Sequence, residues 1–115
     1  MSRSDEKRLD DIRDMCTMVA LLVDRGRAVV EADEMLWLAL ERAIEIAGEA
    51  ATQVSDETKA RLPQVAWKEL AAVRVVLAHA YHRVEFDQLW GIADHDLPTV
   101  AKALGPSAAA GADSE

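Results

Sequence analysis

At 115 residues with net charge −8, the chain is sized for one domain with one core, and it lacks the clustered Lys and Arg of a general nucleic-acid coat. Half of the residues are hydrophobic, but Ala supplies many of them; Gly and Pro number five and three, and the aromatics are three Trp, one Tyr and one Phe. That composition favours helix throughout. The lone Cys16 excludes an internal disulfide and fits a reducing compartment. No apolar run approaches the roughly 20 residues that span a bilayer, and no apolar stretch follows Met-Ser-Arg-Ser-Asp-Glu-Lys-Arg as in a secretory leader. The expected location is cytoplasmic, with no membrane contact.

Leu9, Ile12, Cys16, Val19 and Val23 recur at steps of three and four and predict a helix over about 5–24, stopped near Gly26. On that stripe Cys16 reads as inert packing. A second helix is expected over about 32–53, with Leu36, Ala39, Leu40, Ala43, Ile44 and Ala47 inward. Its small residues allow another helix to approach closely. Ser55 or Asp56 is placed to cap a short turn over 57–61.

Pro63 then breaks the chain before a third helix, from about 65 to 79. A fourth begins near Phe86 and uses Phe86, Leu89, Trp90 and Ala93; Trp37 and Trp90 read as packing residues. Pro98 restricts Leu97, so this helix is expected to break there, with a last short helix from 96 or 97 through 104. Residues 1–104 thus read as one helical domain and 105–115 as a disordered Ala, Gly and Ser tail. No repeat or strand-like alternation is visible, and an antiparallel bundle of four to five helices is the economical all-α fold.

The third helix carries the chemistry. Trp67, Leu70, Arg74, Leu77 and Tyr81 follow one stripe, and Arg74 interrupts it. A buried arginine needs a partner. Either Arg74 pairs with an acid such as Glu41 or Glu49 on the second helix, or the stripe faces a cleft that handles an anion. His79 lies about 140° around a regular helix from Arg74, whereas Tyr81 returns to the Arg74 face. For all three to converge, the helix must loosen near 78–81, or a second subunit must complete the site. Charge is also concentrated here. Within 67–83, Lys68, Arg74 and Arg83 oppose Glu69, a net +2 in a chain of −8, so the remainder carries −10. A basic strip in an acidic shell suits brief contact with a phosphodiester. A metal site built from His79, His82 and His95 with Asp94 or Asp96 is a rival reading, without a Glu-x-x-His motif behind it.

The stretch 41–81 resembles the HepT-like branch of the HEPN superfamily. The segments that carry the likeness are Glu-Arg-Ala-Ile-Glu-Ile-Ala-Gly-Glu-Ala over 41–50, Pro-Gln-Val-Ala-Trp over 63–67, and Arg74-Val-Val-Leu-Ala-His79-Ala-Tyr81. Phe-Asp-Gln-Leu-Trp over 86–90 and Asp-Leu-Pro over 96–98 resemble the family's C-terminal pattern. The likeness extends from the first helix to about Leu104.

The resemblance implies a dimeric HEPN-type bundle in which two motif helices line one cleft. It implies metal-independent RNA cleavage with Arg74 and His79 as catalytic residues and no cofactor. It also implies the toxin role in a type VII-like toxin–antitoxin pair, with RNA as substrate and an MntA-like nucleotidyltransferase antitoxin as partner. In related systems that antitoxin adenylylates the tyrosine that maps to Tyr81. Lys68, His82, Arg83 and Glu49 are the supporting candidates. One departure stands out: the residue after the arginine is usually polar in this family, often Asn or Asp, and here it is Val75. The alternative is therefore a HEPN-like dimer that keeps its partner and has lost catalysis.

Overall fold

The computed structural model describes residues 3–78 and 86–107; the side chains of Arg3, Arg74, Val76 and Ala78 lie outside that description. The described residues form seven α-helices and contain no strand. They are α1 (Arg3–Asp24), α2 (Arg27–Ala32), α3 (Glu34–Gln53), α4 (Asp56–Arg61), α5 (Trp67–Ala78), α6 (Phe86–Gly91) and α7 (Leu97–Leu104), with a π-helical turn at Ile92–Asp96 between the last two. None of these helices is long and apolar enough to cross a membrane.

The α1 stripe is realised. Leu9, Ile12, Cys16 and Val19 are buried, and Leu22 joins them while Val23 is half-buried. Gly26 separates α1 from α2 at a φ of 97°, a left-handed value that glycine adopts without a Cβ penalty.

The expected second helix starts later than its pattern suggested. Asp33 adopts an extended backbone, and its carboxylate accepts the N–H groups of Met35 at 2.9 Å and Leu36 at 3.2 Å. This N-cap fixes the start of α3 at Glu34. Residues 27–32 form the separate helix α2, which buries Val30. The short turn after α3 is α4, with Ser55 as its cap: the Ser55 hydroxyl accepts the Thr58 N–H at 3.3 Å.

α3 lies centrally, packing on α1 along one side and on α5 along another. Its buried Ala43, Ala47, Gly48, Ala50 and Ala51 leave room for that approach. α5 begins two residues later than predicted. Before it, Val65 is buried, and the Trp67 indole donates to the Leu62 carbonyl at 3.0 Å.

Pro98 does not break the last helical stretch. Helical backbone runs from Phe86 to Leu104 and widens to π geometry just ahead of the proline, where the Leu97 N–H bonds the Ile92 carbonyl five residues back. Proline lacks the N–H that an α-helix would require one residue later. A π-turn absorbs that mismatch without ending the helix. α7 then packs on α1, where Arg13 Nε donates to Gly105 O at 2.9 Å and Arg13 Nη2 to Leu104 O at 3.4 Å. A cation bonding the terminal carbonyls of a helix is a favourable C-terminal cap.

Candidate functional site

Arg74 lies on α5 one turn beyond Leu70, whose side chain is 4% exposed in the core. Leu77 and Trp67 are half-buried and pack against the same core, so α5 is held on α3 by the apolar members of the predicted stripe. His79, Tyr81, His82 and Arg83 lie outside the described residues, as does the side chain of Arg74.

What the structure does place are the two anchors of the segment 79–85. On one side, α5 is described through Ala78. On the other, α6 starts at Phe86, which is buried between two tryptophans. The Trp37 ring of α3 meets Phe86 edge-on at 4.7 Å between centroids, and Trp90 stacks on it at 5.8 Å. Arg27 of α2 sits 5.6 Å above the Phe86 ring and forms an ion pair with Asp87. Such aromatic pairs contribute about 1 kcal/mol beyond simple burial. Both anchors therefore rest on α3: the α5 stripe along it, and Phe86 through Trp37. Trp37 and Trp90 are packing residues, as their apolar surroundings in the sequence suggested. The contribution of Arg27 was not visible there, because α2, at six residues, is too short to show a period.

The supporting candidates fall in different places. Lys68 is exposed on α5, and its Cα lies about 120° around the axis from that of Arg74. Glu49 is half-buried on α3 and lines a groove against α1 with Arg8, Asp11, Arg42 and Gln53; the Gln53 side-chain amide donates to it at 3.4 Å. The Glu41 carboxylate accepts the Trp37 indole N–H at 2.9 Å. Val75 is 50% exposed.

The rival metal reading draws on His79 and His82, outside the described residues. Among the described residues no three His, Cys, Asp or Glu side chains form a group able to hold a metal ion. His95 Nδ1 lies 3.1 Å from Asp96 Oδ1.

An all-helical bundle whose sequence carries an Arg-x4-His-x-Tyr motif beginning on α5 has the form of a HEPN-superfamily domain. Comparison with known proteins agrees. Residues 6–105 match the family described as "Ribonuclease HepT-like", and the chain belongs to that family. It is similar to the "Probable ribonuclease HepT" of Thermococcus cleftensis, with 31% identity over 104 residues, covering 87% of this chain and 92% of that protein. It is also 34% identical over 70 residues to a "Putative RNase" of Methanocaldococcus jannaschii, covering 61% of this chain. That match spans 64% of the Methanocaldococcus protein, a little under two thirds of its length. No solved structure matches the chain.

Proposed function

We propose that this chain is a metal-independent endoribonuclease that works as a homodimer, with Arg74 and His79 from each protomer meeting in one shared cleft. The observation that supports this most is the family match over residues 6–105, because it spans the Arg74-x4-His79-x-Tyr81 segment.

The residue types suit the reaction. In metal-free cleavage the 2′-hydroxyl loses its proton and attacks phosphorus; the O2′–P bond forms, the P–O5′ bond breaks, and the departing oxygen takes up a proton. An imidazole titrates near neutral pH and can remove or supply that proton. Two protomers supply two such imidazoles, one as base and one as acid. The guanidinium of Arg74 keeps its charge throughout and offers a planar fork of donors to the phosphoryl oxygens. Arg83 adds positive charge to the motif segment, and Lys68, His82 and Glu49 stay supporting candidates, Lys68 on a different face of α5 from Arg74 and Glu49 in the groove against α1.

In this reading the chain is the toxin of a two-gene pair in the cytoplasm, held in check by a nucleotidyltransferase antitoxin. Transfer of AMP to the Tyr81 hydroxyl, with release of pyrophosphate from ATP, places bulk and a negative charge where RNA phosphate has to sit. Both effects inhibit. Val75 favours a second reading, in which the dimer binds its partner without cutting RNA.

Purified wild type, His79→Ala and Arg74→Ala, each incubated with total RNA in excess chelator, separate the two. Loss of cleavage in both variants, by about a hundredfold or more, supports the nuclease. Intact RNA with wild-type dimer leaves the partner-only reading. Intact mass of the chain co-expressed with the neighbouring nucleotidyltransferase tests the regulation: a gain of AMP that disappears in Tyr81→Phe is the expected result.

A further inference from the structure

Between α5 and the continuous helix running from α6 through α7 lies a groove that none of the roles above uses. Its floor is apolar, formed by Leu70 and Val73 of α5 with Ile92, Leu97 and Val100 opposite, and it encloses a cavity of about 300 Å³. It continues past His95 towards Gly91 and Asp87 on one side and Ala72 on the other. A side chain added at Gly91 would meet nothing within 4 Å, so that end is open.

The described rim is predominantly acidic, with Asp87 already paired to Arg27 and His95 beside Asp96. Glu69 on α5, Asp96 in the π-turn and Asp87 on α6 edge the groove, and among the described residues that line it there is no Lys or Arg. Glu69 and Asp96 are both exposed. An apolar trough edged by carboxylates repels phosphodiesters and attracts cations, so RNA is a poor occupant. The walls are helices, whose backbone groups are already hydrogen-bonded, so an added strand finds no edge to pair with. What remains is side-chain docking. From Ala66, just before α5, to Val73 on it, this wall runs for about 10 Å, enough to meet apolar side chains at i, i+3, i+4 and i+7 of an incoming helix.

We propose that the groove between α5 and α6–α7 seats a helix of a protein partner whose apolar stripe is edged by lysine and arginine. The occupant lies directly on α5, the helix that carries Arg74, and the proposal does not depend on whether the chain cuts RNA.

The test uses the full chain and two fluorescein-labelled synthetic helices, one of leucine and lysine with leucines at i, i+3, i+4 and i+7, the other with glutamate in place of lysine. Fluorescence anisotropy should show the lysine peptide binding and the glutamate peptide not. Glu69→Lys with Asp96→Lys should weaken binding by about tenfold or more. Asp14→Lys with Glu31→Lys makes the same change in net charge away from the groove, at exposed positions of α1 and α2, and should change it by less than about twofold. Equal loss in the two double variants means a general charge effect and overturns the proposal, as does failure of the lysine peptide to bind. Val73→Arg, checked for folding by circular dichroism, should also abolish binding. If that variant instead turns a dimer into a monomer, a second copy of this chain fills the groove and the proposed partner helix is excluded.

Discussion

The Asp5 carboxylate reaches from the first turn of α1 to Ser55, fifty residues away, accepting its backbone N–H at 3.0 Å and its hydroxyl at 2.5 Å. The same carboxylate accepts the Thr58 hydroxyl at 2.6 Å. Asp5 is 4% exposed and Thr58 1%. One acid therefore ties the start of α1 to the α3–α4 junction while its charge favours the N-terminal end of the α1 dipole. Hydrogen bonds to a charged group contribute more than neutral ones, and removing the acceptor leaves buried donors unmet. Asp5→Ala should lower unfolding stability by roughly 3 kcal/mol, read as a lower urea midpoint with an unchanged slope. A cost below roughly 0.5 kcal/mol, the range of ordinary surface changes, would show that the clamp contributes little.

Cys16 offers a second test through pH. Burial pushes its thiol up to about 11 from a usual 9.0, and its Sγ donates to the Leu97 carbonyl at 3.7 Å. Only the thiolate reacts readily. At pH 8 the native thiol should therefore react with a disulfide reagent about a hundred times more slowly than in the urea-unfolded chain, as a two-unit difference in pKa requires. The folded form holds its proton more tightly, so this contribution to stability is complete below about pH 9 and is lost as pH rises towards 11. Comparing wild type with Cys16→Ala isolates it: the stability difference between them should be constant from pH 6 to about 8 and should change only above about 9. A difference that does not vary up to pH 11 would mean the thiol is not desolvated.

Much of this fold is written in spacing. The steps of three and four through Leu9, Ile12, Cys16 and Val19 give α1, and the Ala-rich face of α3 foretells the close approach of its neighbours. α2 was invisible because six residues with one buried side chain, Val30, carry no period. The N-cap at Asp33 was legible in principle, since Asp followed by an apolar-periodic run is a start signal; the run of apolar residues on either side of it masked the boundary. Pro98 misled for a different reason. A proline usually marks a helix end, but the π-turn ahead of it inserts one residue into the ladder, and that accommodation leaves no mark in hydrophobic periodicity. The chemistry of Arg74, His79 and Tyr81 is legible as residue types and order. Their proposed convergence is not, because it would rest on residues 79–85, outside the described residues, and on the second protomer that the proposal invokes.

Phe86 connects the fold to the motif. It is buried, in contact with Trp37 and Trp90 and covered by Arg27. Phe86→Ala should cost roughly 3–5 kcal/mol of stability, as for other buried aromatics, and Phe86→Leu less. Because α6 begins at this residue, Phe86→Leu should reduce RNA cleavage at temperatures where the chain is still folded by circular dichroism. Arg27→Ala removes an exposed ion pair with Asp87 and a cation over the ring, and should cost no more than about 1 kcal/mol. Equal losses for Phe86→Ala and Arg27→Ala would contradict this ranking of burial over surface charge.

Val75 separates catalysis from stability. It occupies the position after Arg74 where a polar residue is usual in the resembled family, and its side chain is 50% exposed. A hydrophobic side chain at a half-exposed helical position contributes little to folding, and Asn has nearly the same helix propensity as Val. Val75→Asn should therefore leave stability within roughly 0.5 kcal/mol of wild type. Asn supplies an amide that can donate to a phosphate or orient a neighbouring imidazole, which Val cannot do. If Val75 is what limits the site, RNA cleavage by Val75→Asn in chelator should rise by about tenfold, the effect of one added transition-state hydrogen bond of about 1.4 kcal/mol. The double variant Val75→Asn with His79→Ala should lose that gain. A gain that survives the loss of His79 would place the added activity outside the proposed cleft, and no gain at all would mean that the residue at 75 does not set the rate.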